Sequence, residues 1–187
     1  MRLVFMVEEP SMRELLKILL PKILPGNFEN HIILPHNGKN DLAKSIPIKL
    51  RAWQNTYDKF IIVHDQDGND DCRQLKADLL SLCKDSRNDY LVRIVCVELE
   101  AWYFGDLQAV SLAYGKDYTS LTAKSKYRNP DKLGNAKEEL RKLVPAYQPI
   151  SGANKIATFM DVDNNTSHSF KVFVNGVRQI CAVNLAL

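Results

Sequence analysis

The stretch KFIIVHDQDGNDDCR, residues 59–73, drives an apolar run into the acids Asp65, Asp67, Asp70 and Asp71. In an extended chain, residues two apart point the same way, so Asp65 and Asp67 are expected to face one site. Two carboxylates aimed at one point repel unless a cation neutralises them, and hard oxygen ligands suit Mg2+ or Mn2+. Mg2+ keeps several waters and takes one or two protein carboxylates together with phosphate oxygens, which is the arrangement of a phosphoryl-transfer site. The plain alternative is a solvated acidic turn of the DxDG kind, and the pair by itself leaves the two readings open. Gly68 permits a sharp turn after the acids. Asp70 and Asp71 stand where a following helix would begin and favour its positive end. The loop is not an EF-hand, because Lys76 stands where the bidentate glutamate belongs.

More acids follow other apolar runs. Glu8 and Glu9 close RLVFMV (2–7), and Glu98 and Glu100 close YLVRIVCVE (90–98). Read alone, Glu8 would be an acid at a helix N-terminus.

The elements that must carry these residues are legible from periodicity. Strands are expected over 2–7, 31–35 (HIILP), 59–65 (KFIIVHD) and 90–98. Between them, SMRELLKILLPKILP repeats Leu15, Leu16, Leu19, Leu20 and Ile23 at helical spacing. Ser11 is the expected N-cap, Glu14 completes a capping box, and Pro21 is expected to end or kink the helix in its last turn. A second helix is expected over roughly 41–54, interrupted at Pro47, and a third over about 71–84 with Cys72, Leu75, Leu79, Leu82 and Cys83 on one stripe. LEAWYFGDLQAVSLAY (99–114) reads as helix. Strand and helix alternating with continuous apolar strands predict an α/β fold with a parallel sheet covered on both faces. Ligands in such sheets sit at the carboxyl ends of the strands, where these acids fall.

Beyond about residue 115 the alternation stops. Helices are expected over 131–144 and 167–180, making a C-terminal helical lobe packed on the sheet. The chain reads as one domain, residues 1–187, with a core of about 1–114 and an extension of about 115–187.

Composition is that of a globular protein: 45% hydrophobic, 25% charged, net charge +3, too small to single out a nucleic-acid binder. The widely spaced Cys72, Cys83, Cys96 and Cys181 form no zinc pattern and read as reduced thiols of a cytoplasmic protein. No run approaches a signal-peptide core or the ~20 apolar residues of a membrane span, so no membrane role is expected.

A glutamate after the first strand joined by Asp-x-Asp after a later parallel strand resembles the Toprim domain of topoisomerases, primases and nucleases of the overcoming-lysogenization-defect type. More closely, VEEPS, GKNDLAKSIPIKLRAW, VHDQDGNDDCRQLK, VRIVCVELEAWYFGDLQAV, YRNPDKL and NNTSHSF, in that order, are similar to a bacterial Toprim-related family catalogued as a domain of unknown function. The resemblance implies a Toprim-like Rossmannoid sheet, Mg2+ (or Mn2+)-dependent phosphodiester chemistry on DNA or RNA, and an ABC/AAA-type ATPase partner in phage defence, through which an oligomer could form. It makes Glu8 the Toprim glutamate, general acid/base and a further metal-binding residue, and Asp65 and Asp67 the metal-binding pair. Glu100 of the ELEAW segment becomes a further catalytic residue. The first Toprim motif usually reads VEGxTE; here Glu9 replaces the glycine and Met12 the second acid, and Thr166 stands where NRSHSF has arginine.

Lys39, Lys124, Lys126, Arg128, Lys132 and Lys155 are candidates to track a phosphate backbone, with Lys39, Lys126, Arg128 and Lys155 the chosen set; the plain reading is solvated surface. Trp53, Trp102, Tyr103 and Phe104 could stack on bases, but at this spacing they read first as core. His64 is expected to point away from Asp65, in the core or supporting the acids, and His168 to cap or pack at the start of the last helix. The leading expectation is a Mg2+-dependent Toprim-like nuclease subunit. The alternatives are a catalytically inactive binding or sensor subunit of an ATPase complex, motivated by the altered VEEPSM motif, and hydrolysis of a nucleotide or other small phosphate ester. Topoisomerase action would need strand-passage and tyrosine-bearing domains for which the chain is too short, and no helicase or zinc feature supports primase action.

Overall fold

The computed structural model describes residues 1–26, 30–68 and 71–182, so the expected helix-start role of Asp70 lies outside the described residues. Strands β1 (Leu3–Val7), β2 (His31–Pro35), β3 (Lys59–Asp65) and β4 (Tyr90–Val95) pair in parallel in the order β2-β1-β3-β4. The register sets Val7 opposite both Pro35 and Val63, and Asp65 opposite Val95, so the strand ends that carry acids lie side by side.

Alternation along the strands sorts apolar residues to two faces. Val4, Met6, Phe60, Ile62 and Val92 pack with Leu42, Ile46 and Leu50 of α2 (Lys39–Ala52) and Leu79 of α3 (Cys72–Leu82). Leu3, Phe5, Val7, Ile61 and Val63 meet Leu15, Leu16 and Leu19 of α1 (Pro10–Ile23). The same cluster takes in Trp102 of α4 (Leu99–Phe104), Val110 of α5 (Leu107–Tyr114), Leu140 of α6 (Ala136–Leu143), Ile156 of α7 (Pro149–Phe159) and Phe173 of α8 (His168–Ala182). The C-terminal helices thus complete the layer on one face of the parallel sheet, as expected of an α/β fold covered on both faces. At roughly 1.5–3 kcal/mol for each large side chain buried, this shared cluster is what holds them there.

Several local expectations are corrected. Helix α1 begins earlier than Ser11: Glu9 is the N-cap and Pro10 occupies the first turn, where its missing N–H costs nothing, and no side chain caps the end. Glu14 bonds Arg13 and Lys17 and closes no capping box. Pro21 does fall in the last turn of α1, which ends at Ile23 as expected. Pro47 does not interrupt α2, because Leu42, Ile46 and Leu50 seat both halves on the sheet. The helix over 99–114 is two helices. At the break, Asp106 caps α5 through Ala109 N, and Gly105 lies so close to Asn165 that a Cβ would sit 2.0 Å from its Oδ1. The helix expected over 131–144 is a 3-10 turn at Pro130–Lys132 followed by α6. Helix α8 starts at His168, but the Ser167 hydroxyl accepts Phe170 N and so supplies the cap, leaving His168 exposed. Among the described residues no helix is long and apolar enough to cross a membrane.

Candidate functional site

Glu8 follows β1 and is 8% exposed. Its Oε2 accepts the main-chain N–H of Asp65 at 3.1 Å and lies 3.3 Å from His64 Nδ1. His64 is therefore buried against Glu8, supporting it, and its Nδ1 also contacts the Asp65 carbonyl. Burial raises the Glu8 carboxyl above its ordinary value; His64 and the Asp65 amide counteract this, while Asp67 and Glu9 add to it. Asp65, at the end of β3, receives the Leu99 amide on Oδ2 at 3.3 Å. Burial, then the Glu8 and Glu100 carboxylates, push Asp65 well above the usual carboxylate range.

Asp67 does not continue the strand alternation that would have aimed it with Asp65. Its backbone is left-handed, φ 51°, and its Oδ2 lies 3.3 Å from Lys39 Nζ. It nevertheless stays within electrostatic reach of Glu8 and Asp65, raising both. Lys39 arrives because Gly38 N donates to the Glu8 carbonyl, anchoring the start of α2 beside β1. Across from Asp67, β4 stops at Val95, three residues before the expected end, because Val97 also adopts a left-handed backbone, φ 64°. A β-branched residue there is strained by about 1–3 kcal/mol. The two turns hold each other through Gln66 N to Val95 O at 2.9 Å and Asp67 N to Val97 O at 2.7 Å. Asp67, Val97 and Asn135 (φ 55°) are the left-handed non-glycine residues among those described, and all three line one cleft of about 520 Å3 beside the acids.

Glu98 and Glu100 separate into two roles. Glu98 Oε1 accepts Lys137 N at 2.6 Å and so caps α6. Glu100, in the first turn of α4 and 1% exposed, accepts the Tyr147 hydroxyl on Oε1 at 2.7 Å, and its Oε2 has no partner. Burial raises its carboxyl, opposed by Lys137 and Tyr147.

Lys137 is the residue among these acids that sequence reasoning missed. Burial would lower its ammonium, but Glu100, Glu9, Glu98 and Asp65 outweigh this and raise it. Its Nζ lies 4.0 Å from Glu9 Oε2. Nothing in GNAKEEL marks this lysine; only the cap by Glu98 brings it to the strand ends.

The acids have the chemistry a hard divalent cation needs. Their donors are all oxygens, Glu8, Asp65 and Glu100 are each raised, and a buried carboxylate oxygen of Glu100 is unpaired. Among the described residues, no group of three or more His, Cys, Asp or Glu side chains stands ready to hold an ion as arranged. Of the basic candidates, Lys39 is at the acids, whereas Lys126 bonds Glu139, Lys155 sits 5.7 Å over the Tyr114 ring and Arg128 is exposed. Trp102, Tyr103 and Phe104 are core, and the Trp53 indole N–H donates to Asp58, so these aromatics offer no base-stacking platform at the site. The described cysteines are all free.

A family model described as Domain of unknown function (DUF4276) matches residues 7–178. No protein of curated function matches the sequence. Among solved structures, the C-terminal region of the Burkholderia pseudomallei OLD protein superposes with a TM-score of 0.60 at 18% identity, covering 96% of this chain and 98% of that one.

Proposed function

The chain belongs to the family described as Domain of unknown function (DUF4276), and on that footing we propose that it is a Mg2+-dependent, Toprim-like nuclease subunit that cleaves phosphodiester bonds in DNA or RNA. The observation that carries this reading is the joining of Glu8 to Asp65 at adjacent strand ends, with both carboxyls raised by burial and by neighbouring acids. The fold shared with the OLD C-terminal region supports it.

In this reading Asp65, Glu8 and Asp67 would hold the ion, beside the Lys39 that now contacts Asp67. A divalent ion there supplies charge to the scissile phosphate and acidifies a bound water. Glu8, steadied by His64, would take the proton of the attacking water. Lys137, surrounded by acids, balances charge developing on the phosphate. Lys39 escorts the phosphate towards Asp67. The proposed setting is the cytoplasm, with an ABC/AAA-type ATPase as partner in phage defence. That part rests on the family resemblance.

A second reading has its own observation. Met12, where the Toprim motif has its second acid, is 3% exposed and packed in the core, so the first turn of α1 offers the site no second motif acid. This favours a non-catalytic subunit that binds or senses for an ATPase.

The test is incubation of the purified protein, alone and with an ATPase partner plus ATP, with labelled single- and double-stranded DNA and RNA in Mg2+, Mn2+ or EDTA. Cleavage that needs metal and is lost in Asp65→Ala and Glu8→Gln is the expected result. No cleavage of any substrate under these conditions hands the function to the second reading.

A further inference from the structure

Tyr147 lies just before α7, far along the chain from the acids, yet its hydroxyl donates to Glu100 Oε1 at 2.7 Å inside the protein. Two polar atoms beside this bond are buried without partners: Glu100 Oε2 and the Tyr103 hydroxyl. Glu100 and Tyr103 stand one turn apart on the same face of α4, and the Tyr103 and Tyr147 rings meet edge-on with centroids 6.4 Å apart. Buried polar atoms are rarely left unsatisfied, since each costs about 1–3 kcal/mol, so two in one place point to a ligand or water that they await.

The far side of Tyr147 is fixed. Gly152 of α7 presses on it so closely that a Cβ would fall 2.3 Å from the ring's Cε2 and 3.1 Å from the Tyr114 hydroxyl. Helix α7 therefore clamps the ring, the ring's hydroxyl holds one oxygen of Glu100, and the other oxygen is buried without a partner on the helix whose Leu99 amide donates to Asp65. A carboxylate held by one oxygen and free at the other is suited to orient water carried by an ion, and Mg2+ keeps most of its waters.

We propose that Tyr147 is a positioning residue of the acid site, fixing Glu100 so that its free oxygen orders the water around the divalent ion that Glu8 and Asp65 bind. This rests on the metal-dependent reading above. It adds a structural link between the C-terminal helices and the sheet's acids, through a tyrosine that itself touches neither ion nor substrate.

The test measures Mn2+ binding to the full chain from the electron paramagnetic resonance signal of free Mn2+, for wild type, Asp65→Asn, Tyr147→Phe and Glu100→Gln, with melting temperatures in EDTA. Wild type is expected to bind and Asp65→Asn to lose binding. Tyr147→Phe keeps the ring and is expected to weaken Mn2+ affinity about tenfold or more, with only a small change in melting temperature. Glu100→Gln keeps an acceptor for Tyr147 but loses the free carboxylate oxygen, and the same weakening is expected, which covers the case in which Tyr147→Phe does not fold. Tyr147→Phe that melts lower but binds Mn2+ like wild type reduces Tyr147 to packing and overturns the proposal alone. Wild type that binds no Mn2+ overturns the metal-dependent reading, and the positioning role falls with it.

Discussion

Glu8 Oε2 accepts the Asp65 main-chain amide at 3.1 Å, so the acid that ends β1 is fastened to the end of β3. The parallel register makes this contact possible, because pairing Val7 with Val63 leaves the two chain ends in step as they leave the sheet. The consequence is electrostatic. One oxygen of Glu8 is committed beside Asp65, so the carboxylates cannot separate to relieve their repulsion, and a proton or a cation must relieve it instead.

The pH dependence of the ion-free protein follows. Glu8, Asp65 and Glu100 are all raised in the fold. An acid raised on folding binds more protons folded than unfolded, so it destabilises the fold increasingly as pH climbs from the ordinary carboxylate range, about 4, through its raised value. Acids that the fold lowers, such as Glu14 and Glu139, give up their contribution only below their unfolded values. Melting temperature in EDTA should therefore rise as pH is lowered from about 7.5 to about 5.5. A flat or falling trend over that window would show that the acid cluster is not under strain.

Lys137 is the cation that the sheet-end acids share from the C-terminal layer. Lys137→Met keeps much of the side chain's length and removes the charge. Without ion, the melting temperature should fall by about 2–4 °C, the equivalent of ~1 kcal/mol in a chain of this size. Metal-dependent cleavage should drop about 100-fold if the ammonium balances charge on the phosphate. A variant that cleaves like wild type would leave Lys137 a purely structural counter-ion.

Gly105 joins α4 to the C-terminal segment with no room for a side chain. A Cβ would meet Asn165 Oδ1 at 2.0 Å and Ser167 N at 2.9 Å, while Asn165 Nδ2 donates to the Trp102 carbonyl at 2.8 Å. Gly105→Ala must displace that bond and is expected to cost about 1–3 kcal/mol, seen as a melting temperature lower by roughly 2–12 °C. An unchanged melting curve would mean that the 165–167 segment yields freely.

The contrast between what sequence reading reached and what it missed has a physical origin. Apolar runs ended by acids mark parallel strands because both faces of such a sheet are buried, and strand ends collect ligands, so Glu8, Asp65, Glu98 and Glu100 could be placed after their strands from pattern, while the choice of Glu100 over Glu98 came from the resemblance of ELEAW. Alternation holds only while the chain stays extended. It failed at Asp67 and Val97, where the backbone turns left-handed in residues whose types do not announce it. The start of α1 was open to a better reading, since EEPS offers a proline for the first turn and so favours Glu9 over Ser11 as the cap. Lys137 and Tyr147 could not be found that way, because each reaches the acids only through tertiary contacts: Glu98 capping α6, and α7 pressing Gly152 on a ring.

Asp65→Asn separates stability from function. The variant keeps an acceptor for the Leu99 amide while removing the charge that burial, Glu8 and Glu100 disfavour. A residue held at a cost to the fold has its explanation in what it binds, so losing the charge should stabilise the ion-free protein, by about 2–4 °C for each kcal/mol relieved. Mg2+ should raise the melting temperature of wild type, since a ligand that binds only the folded state stabilises it by mass action, and should leave Asp65→Asn unmoved. Melting curves of both proteins with EDTA and with Mg2+ check both halves. An Asp65→Asn variant that melts below wild type in EDTA, and that still responds to Mg2+, would make Asp65 a structural residue and move the ion-binding role elsewhere in the acid cluster.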